Sequence, residues 1–331
     1  MKLLVTGGLG FIGSNFILKL LKESNDFEII NVDAELHGAD KTNLSEIQNN
    51  KKYEFVKGNI TNKRLMEELI SKCDAVVNFA AESFVDRSID NADPFLVSNI
   101  RGSFTILDII TKQKKRMVQI STDEVFGSLS TGTATEKSQL NPSNPYAATK
   151  AAAELLIKSY VSTHNSDVIV TRCTNNYGPR QFPEKLIPKI IILANQLNNI
   201  PIYGQGLNIR DWIHVDDHCN AVLMALLDGK TGESYNVSAN NEVDNLTIVH
   251  KILKLMNKPD DLIKFVEDRP GHDLRYSMDS KKISNELGWK IKTSFDDGLQ
   301  NTINWYLNNP EILNKIHLET VQDSTPWKSS N

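Results

Sequence analysis

The first half of the chain alternates two patterns of hydrophobic and polar residues. Short runs rich in β-branched residues predict buried strands, and longer stretches with apolar residues every three or four positions predict amphipathic helices. The predicted strands are Lys2–Val5, Glu28–Val32, Ala75–Phe79, Met117–Ile120 and Val168–Val170, with a further strand before Gly58. The predicted helices are Ile12–Lys22, Lys63–Ser71, Gly102–Lys112 and Tyr146–Thr163. This alternation is typical of a parallel sheet with helices on both faces.

The second half has a looser pattern. Beyond about Arg172 it is richer in Pro and Asn, and loops alternate with predicted helices at Glu184–Leu197, His218–Leu227 and Leu246–Met256. We interpret this part as a smaller lobe interleaved with the sheet. Because ligands of open parallel sheets bind at the carboxyl ends of the strands, the residues after each predicted strand are the candidates for a functional site.

A glycine-rich turn, TGGLGFIG at residues 6–13, joins the first predicted strand to the first predicted helix. Gly7 permits a tight turn, Gly10 lets the backbone approach a pyrophosphate, and Gly13 allows the helix to pack closely on the strand. Asp33 follows the second predicted strand, twenty residues after Gly13. A carboxylate there binds the adenosine ribose of NAD and repels the 2′-phosphate of NADP. Strand, glycines, helix and acid in this order predict an NAD site.

Together these patterns predict an α/β protein, a Rossmann-type doubly wound parallel sheet with a smaller, interleaved substrate-binding lobe. We assign residues 1–173 to the NAD-binding domain, to which a segment at about 209–227 returns. Residues 174–318 belong mainly to the lobe, and the polar residues 319–331 are predicted to form a poorly ordered tail.

Candidate catalytic residues follow the strand predicted at Met117–Ile120. Thr122 lies just beyond it, and a later helix carries Tyr146 and Lys150 four positions apart, on one face. A lysine ammonium beside a phenol lowers the pKa of the tyrosine, as does a positive nicotinamide ring. Tyr146 is therefore a candidate base that takes a proton from an alcohol while the hydride passes to NAD. With the glycine turn, this set matches the short-chain dehydrogenase/reductase pattern.

Two adjacent carboxyl groups, Asp123 and Glu124, separate this chain from a simple oxidoreductase. Oxidation needs only Thr122, Tyr146 and Lys150. An acid and a base side by side also permit elimination of water, because one takes the proton next to a ketone while the other protonates the departing hydroxyl. Spacing alone does not distinguish such a pair from two solvated loop acids.

Charge and cysteine content narrow the expected partners. With 37 Lys plus Arg against 41 Asp plus Glu, the net charge is -4, so neither nucleic acid nor an anionic membrane is expected. The three cysteines are far apart, which is typical of reduced thiols. The apolar runs are too short for a signal peptide or a membrane span, so we expect a cytoplasmic protein. His214 and His218 have zinc-like spacing without an evident third ligand, and no metal is predicted.

At this level the sequence resembles the dTDP-glucose 4,6-dehydratases, which belong to the extended short-chain dehydrogenases in the NAD-dependent epimerase/dehydratase family. The likeness runs from Met1 to about Leu307, and its most diagnostic segments are STDEV at 121–125, FPEKL at 182–186 and RPGHD at 269–273. The resemblance implies that Tyr146, with Thr122 and Lys150, oxidises a hexose at carbon-4 with bound NAD. Glu124 would then remove the carbon-5 proton and Asp123 would protonate the carbon-6 hydroxyl as water leaves. Return of the hydride to carbon-6 would give the 4-keto-6-deoxy sugar.

The resemblance also implies the ligand contacts. Those to the cofactor are Gly7, Gly10, Phe11, Ile12, Gly13, Asp33, Asn59, Ile60, Phe79, Ala80, Ala81, Ser98, Tyr146, Lys150 and Asn176. Those to the nucleotide sugar are Ser83, Thr122, Asn175, Lys185, Leu186, Tyr203, Arg210, Asn245, Arg269 and His272. The cations that a diphosphate requires would be Lys185, Arg210, Arg269 and His272.

Three departures from the family pattern lie near these segments: Phe84 replaces a common His, Phe126 replaces a Tyr, and Ala34–Lys41 differs throughout. The resemblance further implies a homodimer formed by helices around Gly102–Lys112 and Tyr146–Thr163. Two alternatives stay open. One is a sugar-nucleotide 4-epimerase or decarboxylase, and the other is a non-catalytic NAD-binding regulator. The sequence also leaves open which base, dTDP, UDP, CDP or GDP, is accepted.

Overall fold

A parallel sheet of seven strands lies at the centre of the protein, whose residues 1–314 and 325–328 are described by a computed structural model. Its strands are β1 (Lys2–Thr6), β2 (Glu28–Asp33), β3 (Tyr53–Lys57), β4 (Ala75–Asn78), β5 (Arg116–Thr122), β6 (Val168–Cys173) and β10 (Ser234–Val237). Their order across the sheet is β10-β6-β5-β4-β1-β2-β3, and all neighbours are parallel. The order reverses between β1 and β4, which places the ligand crevice at the carboxyl ends of these two strands.

Helices cover both faces of this sheet because successive strand residues point to opposite sides. Leu3 and Val5 belong to a core formed with α1 and α8, whereas Leu4 belongs to a core formed with α2, α5 and α6. The helices of this domain are α1 (Phe11–Glu23), α2 (Lys63–Ser71), α3 (Val85–Asp90), α4 (Asp93–Phe95), α5 (Ser103–Gln113), α6 (Pro145–His164), α8 (Val215–Asp228) and α10 (Lys281–Leu287). A π-helical turn, Leu96–Gly102, leads directly into α5.

The smaller lobe has its own apolar core, to which Ile190, Trp212, Ile252 and Ile303 contribute. Its helices are α7 (Leu186–Asn195), α9 (Asn245–Leu255), α11 (Phe295–Leu307) and α12 (Pro310–Asn314). A three-stranded sheet is ordered β11-β9-β7, and a second sheet pairs β12 with β8. These strands are β7 (Asn175–Tyr177), β8 (Ile200–Tyr203), β9 (Ile209–His214), β11 (Glu242–Asp244) and β12 (Ile263–Val266). Three-residue to seven-residue 3-10 turns lie at Lys41–Ile47, Asp123–Phe126, Asp260–Leu262 and Pro326–Lys328.

The predicted fold class is confirmed, with two corrections to the predicted domain limits. In the segment predicted to return at 209–227, only α8 packs on the main sheet, since β9 pairs with β7 and β11 in the lobe. The main sheet is instead completed by β10, within the range assigned to the lobe, because Ser234–Val237 pairs with β6. The interleaving is therefore deeper than the sequence pattern indicated.

The predicted tail needs a partial correction. Residues 319–324 and 329–331 lie outside the described residues, but Pro326–Lys328 forms a turn in which Trp327 is only 6% exposed. The indole packs edge-on against Tyr203, with ring centroids 5.1 Å apart. An aromatic ring buried on the lobe accounts for this local order. Along the described residues, no helix combines the length and apolarity that crossing a bilayer requires.

Candidate active site

A large pocket opens at the point where the strand order reverses, between the sheet and the lobe. Every residue that the resemblance assigns to the cofactor lines it. An added Cβ at Gly7 would lie 2.6 Å from the Ala80 backbone nitrogen, and one at Gly13 would lie 2.5 Å from the Gly7 carbonyl oxygen. Beside Gly10, by contrast, the nearest neighbouring atom is at 3.3 Å. Packing therefore requires glycine at positions 7 and 13, whereas glycine at position 10 leaves room for a ligand.

Helix α1 begins at this pocket without a side-chain cap, so its first N–H groups are available for a phosphate. At the far end of the pocket, the Asp33 carboxylate accepts hydrogen bonds from the backbone N–H groups of Leu9 (3.0 Å) and Glu35 (2.8 Å). Burial raises the pKa of Asp33, although these two hydrogen bonds act in the opposite direction. The free N–H groups at the start of α1 can bind phosphates, and the fixed Asp33 carboxylate at the end of the neighbouring strand β2 can bind a ribose. This arrangement fits a dinucleotide such as NAD.

Tyr146 and Lys150 lie at the start of α6 and line the same pocket as Thr122. Burial, followed by the charge of Glu124, raises the pKa of Tyr146, while a hydrogen bond with Thr122 opposes that shift. Burial lowers the pKa of Lys150 to about 8, and its ammonium donates to the Ile120 carbonyl at 2.6 Å. In this structure burial therefore dominates over the lowering of the tyrosine pKa that we expected from Lys150.

The carboxyl pair faces into the pocket. Asp123 is 3% exposed, and its burial, reinforced by the charge of Glu124, raises its pKa to about 8. One oxygen, Oδ1, accepts from the Thr122 hydroxyl at 3.1 Å, while Oδ2 has no hydrogen-bond partner among the described residues. Asp123 therefore keeps its proton at neutral pH, which is the state that a general acid needs.

Two side chains that were not predicted to belong to the site, Asn144 and Tyr276, lie next to Glu124. Asn144 donates to Glu124 Oε2 at 3.1 Å, while its own carbonyl oxygen caps α6 by accepting from the Ala147 N–H. The Tyr276 hydroxyl lies 3.4 Å from the same Oε2 and donates to Asp273 at 2.6 Å. The capping role of an Asn before Pro-Tyr was readable from the sequence, but its second bond depends on the 3-10 turn after β5.

The residues assigned to the nucleotide sugar fall into two groups. Ser83, Thr122, Asn175 and Lys185 line the pocket. The remaining ones lie outside its lining: Leu186, Tyr203, Arg210, Asn245, Arg269 and His272. The Lys185 ammonium donates to the Ser83 carbonyl at 2.8 Å, so it is fixed at the boundary between the two groups.

The outer group is held by carboxylates and carbonyls. Asp86 accepts from Arg269 at 2.6 Å and from the Tyr203 hydroxyl at 3.2 Å. Arg210 is 4% exposed and donates to the Asp273 carbonyl at 2.9 Å. Burial and the charge of Arg269 lower the pKa of His272 to about 4, against the positive charge that we expected of it, so its role as a cation stays a prediction.

Neither histidine with zinc-like spacing is placed as a ligand. His214 accepts from the Asp216 N–H at 3.3 Å and begins α8. His218 lies 2.9 Å from the Asn176 side-chain oxygen, and burial lowers its pKa to about 3. Within residues 1–314 and 325–328, no three side chains of the metal-binding types form a cluster. His218 instead orients Asn176 at the pocket wall.

A family model described as GDP-mannose 4,6 dehydratase matches residues 4–302 of this chain. The chain belongs to this dehydratase family. Its relatives include the Low-salt glycan biosynthesis protein Agl12 of Haloferax volcanii, 46% identical over 94% of this chain and 100% of that protein. A dTDP-glucose 4,6-dehydratase of Actinoplanes sp. is 44% identical over 93% of this chain and 98% of its own length. The predicted resemblance is confirmed.

Solved structures of the dehydratase family show the same fold. DesIV, a dTDP-glucose 4,6-dehydratase from Streptomyces venezuelae with NAD and TYD bound, matches with a TM-score of 0.92 and 41% identity, over 94% of this chain and 98% of that one. A UDP-glucuronic acid 4-epimerase from Bacillus cereus matches with a TM-score of 0.88 but only 26% identity, over 93% and 99%. The fold alone therefore does not distinguish a dehydratase from an epimerase. That distinction depends on the pair of carboxyl groups, Asp123 and Glu124.

Proposed function

We propose that the protein is a dTDP-glucose 4,6-dehydratase that uses NAD and yields the 4-keto-6-deoxy sugar. The observation that carries this proposal is the position of Asp123 and Glu124 in one pocket with Tyr146, with a pKa of Asp123 raised to about 8 by burial. An epimerase has little use for a buried, protonated acid beside a second carboxylate.

NAD, when bound, would take the hydride from carbon-4, return it at carbon-6, and lower the pKa of a nearby phenol by its positive ring. Tyr146 takes the proton of the carbon-4 hydroxyl, and Thr122 orients the phenol through their hydrogen bond. Lys150, four residues after Tyr146 and fixed on the Ile120 carbonyl, would stabilise the phenolate that has to form before Tyr146 can accept this proton.

Elimination then uses the two carboxyl groups in opposite senses. Glu124, which accepts a hydrogen bond from Asn144, takes the carbon-5 proton that the carbon-4 ketone has made acidic. Asp123 gives its proton to the carbon-6 hydroxyl, which leaves as water. The proton held by Glu124 returns to carbon-5 when the hydride arrives at carbon-6. The proton that Tyr146 took from the carbon-4 hydroxyl balances the one that Asp123 gave to the leaving water, and its transfer from Tyr146 to Asp123 through solvent restores both groups for the next turnover.

The test is product analysis without added NAD. The purified protein incubated with dTDP-glucose should form the 4-keto-6-deoxy sugar, and UDP-, CDP- and GDP-hexoses in parallel should react more slowly. If the only product is the 4-epimer, or if only GDP-mannose reacts, the proposal is wrong in its reaction or its substrate. If the protein turns over no nucleotide sugar, and Tyr146→Phe changes no activity of the preparation, the results would favour the non-catalytic NAD-binding regulator.

We also propose that two copies pair through α5 and α6 in the cytoplasm. Apolar side chains stay exposed along these helices and in the π-helical turn that leads into α5, among them Val97 (46%), Phe104 (39%) and Leu155 (59%). Exposed apolar patches of this kind are typical of interfaces. Light scattering should give a dimer that Leu155→Glu converts to monomer, and a monomeric wild type would contradict the pairing.

A further inference from the structure

Three loops from different parts of the chain meet over the cofactor pocket. His37 comes from the loop after β2, Phe84 precedes α3, and Phe182 and Glu184 precede α7. We call these four residues the clasp. The His37 ring packs edge-on against Phe84 at 4.7 Å and Phe182 at 4.9 Å, and the two phenylalanines lie 5.6 Å apart. The clasp therefore joins the sheet domain to the lobe.

A hydrogen-bonded ion pair closes the clasp on its outer side. His37 Nε2 lies 3.2 Å from the Glu184 carboxylate, and Arg87 donates to the same carboxylate at 3.0 Å. Burial opposes ionisation of Glu184, but its bonds to His37 and Arg87 outweigh burial and lower its pKa. The carboxylate of Glu184 is therefore charged, and it is contacted by His37 from the loop after β2 and by Arg87 from α3.

The clasp lies directly on the pocket, because His37, Phe84 and Phe182 are part of its lining. Gly38 has a φ of +88°, and a Cβ there would lie 3.2 Å from the Phe84 ring, so glycine lets the loop approach this closely. On the other side, the Lys185 ammonium lies 4.2 Å from the centre of the Phe84 ring. A dinucleotide bound in this pocket would therefore lie against the clasp.

Two departures from the family pattern meet here. Phe84 stands where the family commonly has a histidine, and His37 lies in the loop Ala34–Lys41 that differs throughout. In this chain an imidazole thus reaches the same cluster from the neighbouring loop. The ring contacts of His37 with Phe84 and Phe182 connect the loop after β2 to the lobe.

We propose that His37 and Glu184 latch the loop after β2 onto the loop before α7 and thereby slow the dissociation of NAD. This inference rests on the proposed function, in which the cofactor holds a hydride between oxidation at carbon-4 and its return to carbon-6. If the reduced cofactor left between these steps, the sugar would be stranded as an oxidised intermediate. A slow dissociation protects each turnover, and His37 acts as a positioning residue.

The experiment measures release of cofactor directly. Protein loaded with NADH is mixed with excess lactate dehydrogenase and pyruvate as a trap, and the loss of bound-NADH fluorescence gives the dissociation rate. His37→Ala and Glu184→Ala should each release NADH about 10- to 100-fold faster, the range expected for a lost hydrogen bond to a charged group. His37→Phe, which keeps the ring contacts, should show most of the same increase.

Matched variants separate the latch from general damage. His250 pairs with Asp260 at 3.1 Å on the exposed side of α9, so His250→Ala removes a similar pair away from the pocket and should release NADH at the wild-type rate. The double variant of His37 and Glu184 should release NADH more slowly than the product of the two single effects predicts, because the two variants share the loss of the His37–Glu184 contact. Wild-type release rates in the His37 and Glu184 variants overturn the latch. A wild type that never binds NADH overturns the proposed function instead.

Discussion

Replacing Asp123 by Asn should make the protein more stable and less active at once. Asp123 is buried at the end of β5, with Oδ2 unpartnered among the described residues and the Glu124 charge next to it. An ionised carboxylate in that position lacks the hydrogen bonds that would replace its hydration. Asparagine has nearly the same shape, still accepts from Thr122, and carries no charge.

The size of the effect follows from the pKa. Burial raises the pKa of Asp123 from 3.8 to about 8, and each unit corresponds to about 1.4 kcal/mol. A carboxyl group whose pKa is raised in the folded state binds its proton more tightly there, so stability falls as the pH rises above 3.8 and levels off above about 8. The full shift sets a ceiling of about 6 kcal/mol, and water entry or side-chain rotation would reduce it to about 2–4 kcal/mol.

Thermal unfolding at pH 5 and pH 9 tests this reasoning. At pH 9, Asp123→Asn should raise Tm by several degrees, at about 2 °C per kcal/mol for a chain of this size, and at pH 5 the gain should be much smaller. Dehydration should fall about 10²- to 10⁴-fold, whereas oxidation at carbon-4 should persist as accumulated NADH. Asp228→Asn, at an exposed acid, is the control. A lower Tm at pH 9, or an equal gain at both pH values, would refute the burial argument.

Three further predictions concern other parts of the molecule. Tyr146→Phe should lower kcat about 10²-fold or more while calorimetric affinity for the nucleotide sugar stays unchanged. Glu154→Gln should destabilise the protein by about 3–5 kcal/mol in denaturant unfolding, because it leaves Arg172, bonded to Glu154 at 2.6 Å, as a buried unpaired charge. Trp327→Ala should raise KM several-fold with little change in kcat, since it removes the ring against Tyr203.

Much of the sheet domain could be predicted because local pattern and global position agree there. The strand that ends at Asp33 and the turn that starts at Gly7 carry their own signals, and α2 was predicted with the bounds that the structure has. The strand β10 was missed because its four residues lack a distinctive run and pair with β6, more than sixty residues earlier. A short strand at the sheet edge is specified by its partner rather than by its own sequence.

The chemistry of individual side chains was harder to predict than their presence in the site. The resemblance implied that His272 is one of the cations for a diphosphate, whereas burial and the charge of Arg269 lower its pKa to about 4. Lys150 was expected to lower the pKa of Tyr146, but burial raises that pKa in this structure. Both outcomes depend on desolvation, which spacing along the chain does not encode.

The outer substrate residues show how a net acidic protein can prepare a site for a diphosphate. Asp86 holds both Arg269 and Tyr203 in place, and Lys185 is bonded to a backbone carbonyl, so these groups are oriented before any ligand arrives. A diphosphate then competes with a single carboxylate for Arg269 and does not have to order a free side chain. Arg269 is paired with a carboxylate, whereas Lys185 and Arg210 are bonded to uncharged carbonyls and keep their positive charge, which reconciles a net charge of -4 with an anionic substrate. The same pairing explains why composition alone gave no sign of this subsite.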